Sequence, residues 1–259
     1  MPGNPEPVED LRYRLRRAPL ERVLCQARWE QLSLFSPSSV AGIASQLAGI
    51  IGDIYPFGQS QQEMQITITP AGVTQRPGDT VHRFKSADHK WTATLSHLFI
   101  ALETIQYTDH VDFVERFDQL YRALLTIIQI PSLTRLGYRY TNRLSGSDDL
   151  SKVAEYFAPG ILGGLAGEEP EVAQMICETL RQEGSKYLMV RSALLPAGAV
   201  IDPTLAVMTE RSWIIDLDSF DESPGIAIES IHGSAIDLSA MGSQHFHKLL
   251  TPEGLERFK

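Results

Sequence analysis

Apolar and polar positions alternate along the chain in runs that mark out its elements. Over residues 21–34, Val23, Cys25, Ala27 and Trp29 share one face, with Gln26, Arg28 and Glu30 opposite. That period of two predicts a half-buried strand. Ser36-Pro37-Ser38-Ser39 supplies a turn and a helix N-cap. Val40, Ile43, Leu47, Ile50, Ile51 and Ile54 then recur at helical spacing until Pro56 and Gly58. Met64, Ile66 and Ile68 alternate with Gln65, Thr67 and Thr69, a second strand, with Pro70-Ala71-Gly72 as its turn or as a bulge in a longer ribbon. Further strands are expected over 81–85 and from 91 to about 107, joined by a hairpin tip at Asp88-His89-Lys90. Thr108 or Asp109 caps the next helix, whose apolar stripe runs through Phe113, Val114, Phe117, Leu120, Tyr121, Leu124, Leu125 and Ile128. Asp109 and Asp112 favour its positive end, and Pro131 ends it. A strand over 133–144 follows.

The second half is patterned more weakly. A short helix is expected over 150–157, a Gly-rich loop over 159–167, and a helix over 170–183 with Pro170 at its first position. Strands are expected over 186–195 and 211–217, with another near 200–208, then a closing helix over 236–250. Thr251-Pro252-Glu253 starts a last helical turn. The order β-α-β-β-β-α-β, then α-α-β-β-β-α, implies an α+β fold, with antiparallel or mixed sheets packed on amphipathic helices. Residues 1–17, with Pro2, Pro5 and Pro7 among acidic neighbours, read as a flexible arm before a single domain over 18–259. A break near residues 146–149 is where two lobes, 18–147 and 148–259, would divide. No internal repeat is visible.

Composition narrows the class. A chain of 259 residues can bury a full core, and 43% hydrophobic with 21% charged residues excludes a disordered or collagen-like chain. Cys25 and Cys177 are too few for a disulfide framework or a zinc site. The first residues lack a basic segment leading into an apolar one, and no window has the 18 apolar residues of a membrane span, so a cytoplasmic location is expected. The net charge of −9 argues against a dedicated duplex-DNA binder. It is unevenly spread. Arg12, Arg14, Arg16, Arg17, Arg22 and Arg28 face only Glu21, a balance of +5 that leaves −14 elsewhere. Such an arm would be solvated, lie on an acidic surface of its own chain or of a second subunit in a homo-oligomer, or dock on an acidic partner.

Motifs of catalysis and of nucleotide or metal binding are missing: G-x-S-x-G, H-E-x-x-H, G-x-x-x-x-G-K-[ST] and G-x-G-x-x-G do not occur. The glycines of 160–167 are followed by Glu168 and Glu169, which repel a phosphate. His245 and His247, two apart on a helix, point about 200° apart and cannot share a metal. His82, His89 and His97 would need strands to bring them together. Asp216 and Asp218 share a strand face next to Asp221 and Glu222, which suits either a divalent-metal pair or a solvated face. The most distinctive segment runs Arg135-Leu136-Gly137-Tyr138-Arg139-Tyr140-Thr141-Asn142-Arg143. As a strand it places Leu136, Tyr138 and Tyr140 on one face. Arg135, Arg139 and Arg143 fall on the other at about 13 Å intervals. Such a ladder could grip phosphates or carboxylates, or pair with the chain's own acids.

Arg17-Ala18-Pro19-Leu20-Glu21-Arg22-Val23 leading into Cys25-Gln26-Ala27-Arg28-Trp29, with Leu102, Thr104, Tyr107, Phe113 and Phe117, and then the arginine strand, resembles a sporadically distributed family of uncharacterised prokaryotic proteins of similar length. Members share an aPL-E-V-x-x-Q-x-R-F strand and a central R-x-G-x-R-Y-x-N-R strand. Trp29 stands where the family usually has Phe, and Ala27 where it often has Ile. The resemblance implies no catalytic residues. It does imply an accessory gene set of the defence or toxin–antitoxin kind.

The expected function is therefore a non-catalytic binding or interaction module, with no cofactor, no membrane contact and a protein partner or anionic ligand. Arg135, Arg139, Arg143, Arg14, Arg16 and Arg17 are the candidate contacts. The alternatives are a metal-dependent hydrolase or nuclease at Asp216 and Asp218, and a nucleic-acid binder using the arginine strand.

Overall fold

The computed structural model describes residues 15–69, 72–166, 172–202 and 204–259. The first period-two run forms β1 (Leu20–Arg28), followed by α1 (Val40–Ile51). A meander follows, of β2 (Phe57–Thr69), β3 (Gly72–Lys85), β4 (Trp91–Leu95) and β5 (Phe99–Thr104). The striped helix is α2 (His110–Leu125), and the arginine segment is β6 (Arg135–Ser145). Three short helices, α3 (Ser147–Ser151), α4 (Val153–Tyr156) and α5 (Pro159–Leu162), lead into β7 (Met175–Glu183), β8 (Lys186–Leu195) and β9 (Ser212–Asp221). Helices α6 (Ile231–Leu249) and α7 (Pro252–Phe258) complete the chain.

The nine strands of the described residues form one antiparallel sheet, in the order β2-β3-β4-β5-β1-β6-β9-β8-β7. That order is nearly symmetric about the β1–β6 seam. In each half a first strand is followed by helical chain and a meander. The last strand of the meander returns beside the first, and a long helix then crosses the sheet. The repeat invisible in the sequence is thus present in the topology, because the two halves bury different side chains at equivalent places.

Helix α2 lies centrally, between α1 and α6, and α6 covers β6 and β9. Its stripe of Phe113, Phe117, Leu120, Tyr121 and Leu124 packs in one core with Val23, Cys25, Leu102, Leu136 and Tyr138 of the sheet. Fully burying each such aliphatic or Phe side chain is worth about 1.5–3 kcal/mol. Asp109 caps α2 by accepting from the Asp112 amide at 2.9 Å, and Thr251 caps α7 by accepting from the Gly254 amide at 3.1 Å. Among the described residues no helix is long and apolar enough to cross a membrane.

Several expectations need correction. The strand expected over 91–107 is two, because the Ser96 hydroxyl accepts from the Leu98 amide at 3.3 Å and the Ser96 amide reaches the Phe99 carbonyl, which folds the chain into a β4–β5 hairpin. The helix expected over 170–183 is instead the hairpin strand β7, which begins at Met175. Gly184, at φ +60°, makes the reversal, and nine consecutive pairs join β7 to β8. Non-local pairing overrides a helical pattern that rested on few positions. Residues 200–202 and 204–208 form no strand. The expected helix over 150–157 divides at Lys152 into α3 and α4. The 1–17 arm up to Arg14, the Pro70–Ala71 turn, and Glu168, Glu169 and Pro170 lie outside the described residues. At Gly163, with φ +54°, a Cβ would meet Cys177 Sγ at 2.8 Å and Met175 Sδ at 2.9 Å, so the glycine lets β7 side chains pack against the Gly-rich turn.

Candidate interaction surface

With the helices on one face, strand alternation sends every second side chain to the other. Three cross-strand rows describe the middle of that face. One runs Gln26, Gly137, Phe220, Tyr187. The next runs Leu24, Arg139, Asp218, Met189. The third runs Arg22, Thr141, Asp216, Arg191, Glu178. Among the described residues, the connection from β8 to β9 crosses one end of this face. Its Ile201, Ala199 and Leu205 pack on Ala193, Leu195 and Ile214.

The arginine strand lies at the centre, and each of its three guanidiniums has a carboxylate. Arg139 Nε meets Asp216 at 2.7 Å and its Nη1 meets Asp202 at 3.2 Å. Arg135 Nη2 meets Asp218 at 2.8 Å. Arg143 Nε meets Glu21 at 2.7 Å, and Arg143 Nη1 donates to the Ala206 carbonyl of the crossing loop at 2.8 Å. Asp216 also accepts from the Thr141 hydroxyl at 2.9 Å, and Arg191 approaches its second oxygen at 3.6 Å. Asp202 is carried by the crossing loop. Arg22 donates to it at 2.8 Å and also to the Thr204 hydroxyl, which pins the loop to β1.

The charges respond to this crowding. Burial alone would raise the Asp202 carboxyl, but the Thr204 hydroxyl and the Arg22 guanidinium outweigh it and hold the group well below the ordinary carboxylate range. Asp218 goes the other way: burial raises it further than Arg135 and Arg139 lower it. Burial also raises Glu21 despite Arg143. Burial would lower Arg139, but Asp216 more than reverses that.

Gly137 explains the form of the R-x-G-x-R segment. A Cβ at Gly137 would collide with the Arg135 guanidinium, which lies flat over the bare backbone. From there it reaches Asp218 and sits 4.5 Å above the Phe220 ring. Phe220 stacks in turn on Tyr187, at 5.3 Å and 19°. At the same end of β1, Arg28 sits 5.7 Å from the Phe99 ring. The tyrosines of β6 face the helices. Tyr138 and Tyr140 are buried, and the Tyr140 hydroxyl bonds Ser239 at 2.7 Å and Tyr107 at 3.1 Å.

The other candidate residues are dispersed. Arg17 donates to the Lys259 and Glu256 carbonyls at the end of α7, Arg16 is exposed, and Arg14 lies outside the described residues. Asp216 and Asp218 are both held by guanidiniums, so a cation would have to displace Arg139 and Arg135. Among the described residues no three His, Cys, Asp or Glu side chains are grouped to hold a metal ion. His82 bonds Ser60, His89 stacks on Phe57 and His97 is buried in the β4–β5 turn. Sequence reasoning missed Asp202, Thr204, Arg191, Phe220 and Tyr187. The one signal was the acidity of residues 202–229, which hold seven Asp or Glu against one Arg. No protein-family model matches the chain, and no curated protein matches it either.

Proposed function

We propose that this protein is a non-catalytic binding module whose helix-free sheet face receives a protein partner. The observation that carries this is the make-up of the face. Its central arginines are neutralised within the chain. Between them the incompletely covered side chains of Leu24, Phe99, Met189, Phe220 and Tyr187 break what would otherwise be a solvated polar layer. Aromatic and arginine side chains in one patch are the composition of protein interfaces. Arg28 is exposed and, among the described residues, makes no ion pair, so it is free to meet a partner's carboxylate. The internal ion pairs speak against a phosphate-gripping nucleic-acid face, which needs unpaired cations. In this reading the chain acts in the cytoplasm as an accessory protein of the family it resembles.

The test compares Arg28→Glu combined with Phe220→Ala against Glu115→Lys on α2, each with an unchanged circular dichroism spectrum. Partner recovery from a lysate of the native host should fall sharply for the first and persist for the second. Equal recovery by both would overturn the assignment. Arg139→Glu is a poor probe, because it would set a third carboxylate beside Asp202 and Asp216 and disrupt the sheet itself.

A further inference from the structure

Helix α6 stops short of the outer edge of the sheet. Beyond it, the β7–β8 hairpin and the flank of α6 border a groove of about 590 Å³ on the helix-bearing side, distinct from the surface above. Its charged and titratable lining is Arg181 and Glu183 from β7, Lys186 from β8, and Asp237, His245 and Lys248 from α6. Lys186 and Asp237 neutralise each other at 2.8 Å. Arg181 and Lys248 have no carboxylate partner among the described residues. His245 Nε2 is shielded from water and has no hydrogen-bond partner. Burial first, then Arg181 and Lys248, pushes the His245 imidazole below its ordinary value. Two exposed, unpaired cations thus stand beside a shielded ring nitrogen that nothing in the chain satisfies.

We propose that this groove is an oxyanion site for a compact dianion of the phosphate type, held by Arg181 and Lys248 beside the His245 ring. The guanidinium and ammonium supply the charge, and the imidazole next to them responds to it. Glu183 borders the same groove, which disfavours an extended polyanion and suits a single phosphate group, free or as a monoester. Because bound dianion replaces a positive field with a negative one, His245 takes up a proton on binding.

The experiment follows the His245 ring by NMR in the full chain, with inorganic phosphate and phosphoserine titrated separately to distinguish a free phosphate from a monoester. The resonance is assigned by its loss in His245→Gln. The expected result is a His245 pKa raised by about one unit at saturation, equivalent to about tenfold tighter binding to the protonated ring. Arg181→Ala or Lys248→Ala should weaken binding by about tenfold. Both side chains are exposed and outside the core, so the fold is expected to survive, and Lys259→Ala serves as the control. His245→Gln should remove the ring's share of the pH dependence and leave only that of the ligand's own second ionisation, near pH 6 for a monoester. A His245 titration unchanged by either ligand would overturn the proposal. So would binding that Arg181→Ala and Lys248→Ala leave intact.

Discussion

Gly137 and Arg135 are a coupled pair. The glycine has ordinary strand geometry, and what it provides is absence: a floor on which a guanidinium lies flat against Asp218 and Phe220. Gly137→Ala should lift Arg135 off the sheet, and because the displaced atoms are the end of a flexible side chain the loss should be at most about 1 kcal/mol in urea unfolding. In an Arg135→Ala background the same change should be nearly neutral, since nothing is left to displace. Additive losses in that cycle would refute the coupling. Asp202 makes a second residue-level prediction. Its carboxyl is held below the ordinary range, so the stability it contributes is present above about pH 4 and is lost as pH falls from there toward the depressed value of the folded state. Asp202→Asn should lose about 2 kcal/mol near neutral pH and show a flatter acid limb in unfolding experiments. None of this was legible residue by residue. Alternation put Arg135, Arg139 and Arg143 on one face, but only the β6–β9 register decides which carboxylate meets each.

Elements with strong local signals were readable. β1 and β6 alternate cleanly, and α2 has a cap, an acidic first turn and an unbroken stripe. β7 was not readable, because Met175, Ile176 and Leu180 fit a helix face as well as a strand, and the hairpin with β8 that decides the matter is a tertiary fact. The strand it forms is an open sheet edge, with Ile176 and Leu180 each more than half exposed. Edges of this kind tend to pair with other chains. Leu180→Lys should leave the unfolding free energy within about 0.5 kcal/mol of the parent. It should also lower light scattering on concentration. A large loss of stability would mean that the side chain is buried against something.

At the scale of the whole molecule the near-symmetric order has a price. The core is not divisible at the seam, because Leu136, Tyr138 and Tyr140 of β6 pack with Phe113, Phe117 and Val23 of the first half. Residues 15–130 and 131–259 produced separately should each lack dispersed amide NMR spectra, and should recover them on mixing only if the β1–β6 seam re-forms. A well-dispersed spectrum from either half alone would show that the halves are independent domains.

The seam also orders events in time. β1 is made before the other described strands, yet Val23 must wait for Thr104 on one side and Tyr140 on the other. Until β5 is complete at Thr104 the strand that ends up most deeply enclosed has neither neighbour, and until β6 is complete at Ser145 it has only one. The central sheet therefore closes only after β6 has emerged. Refolding should be slow for a chain of this size, because its decisive contacts are so far apart in sequence. Until then at least one edge of β1 is open to any other nascent strand, so a chaperone that shields β1 would improve the yield of native protein more than one that acts on the finished chain.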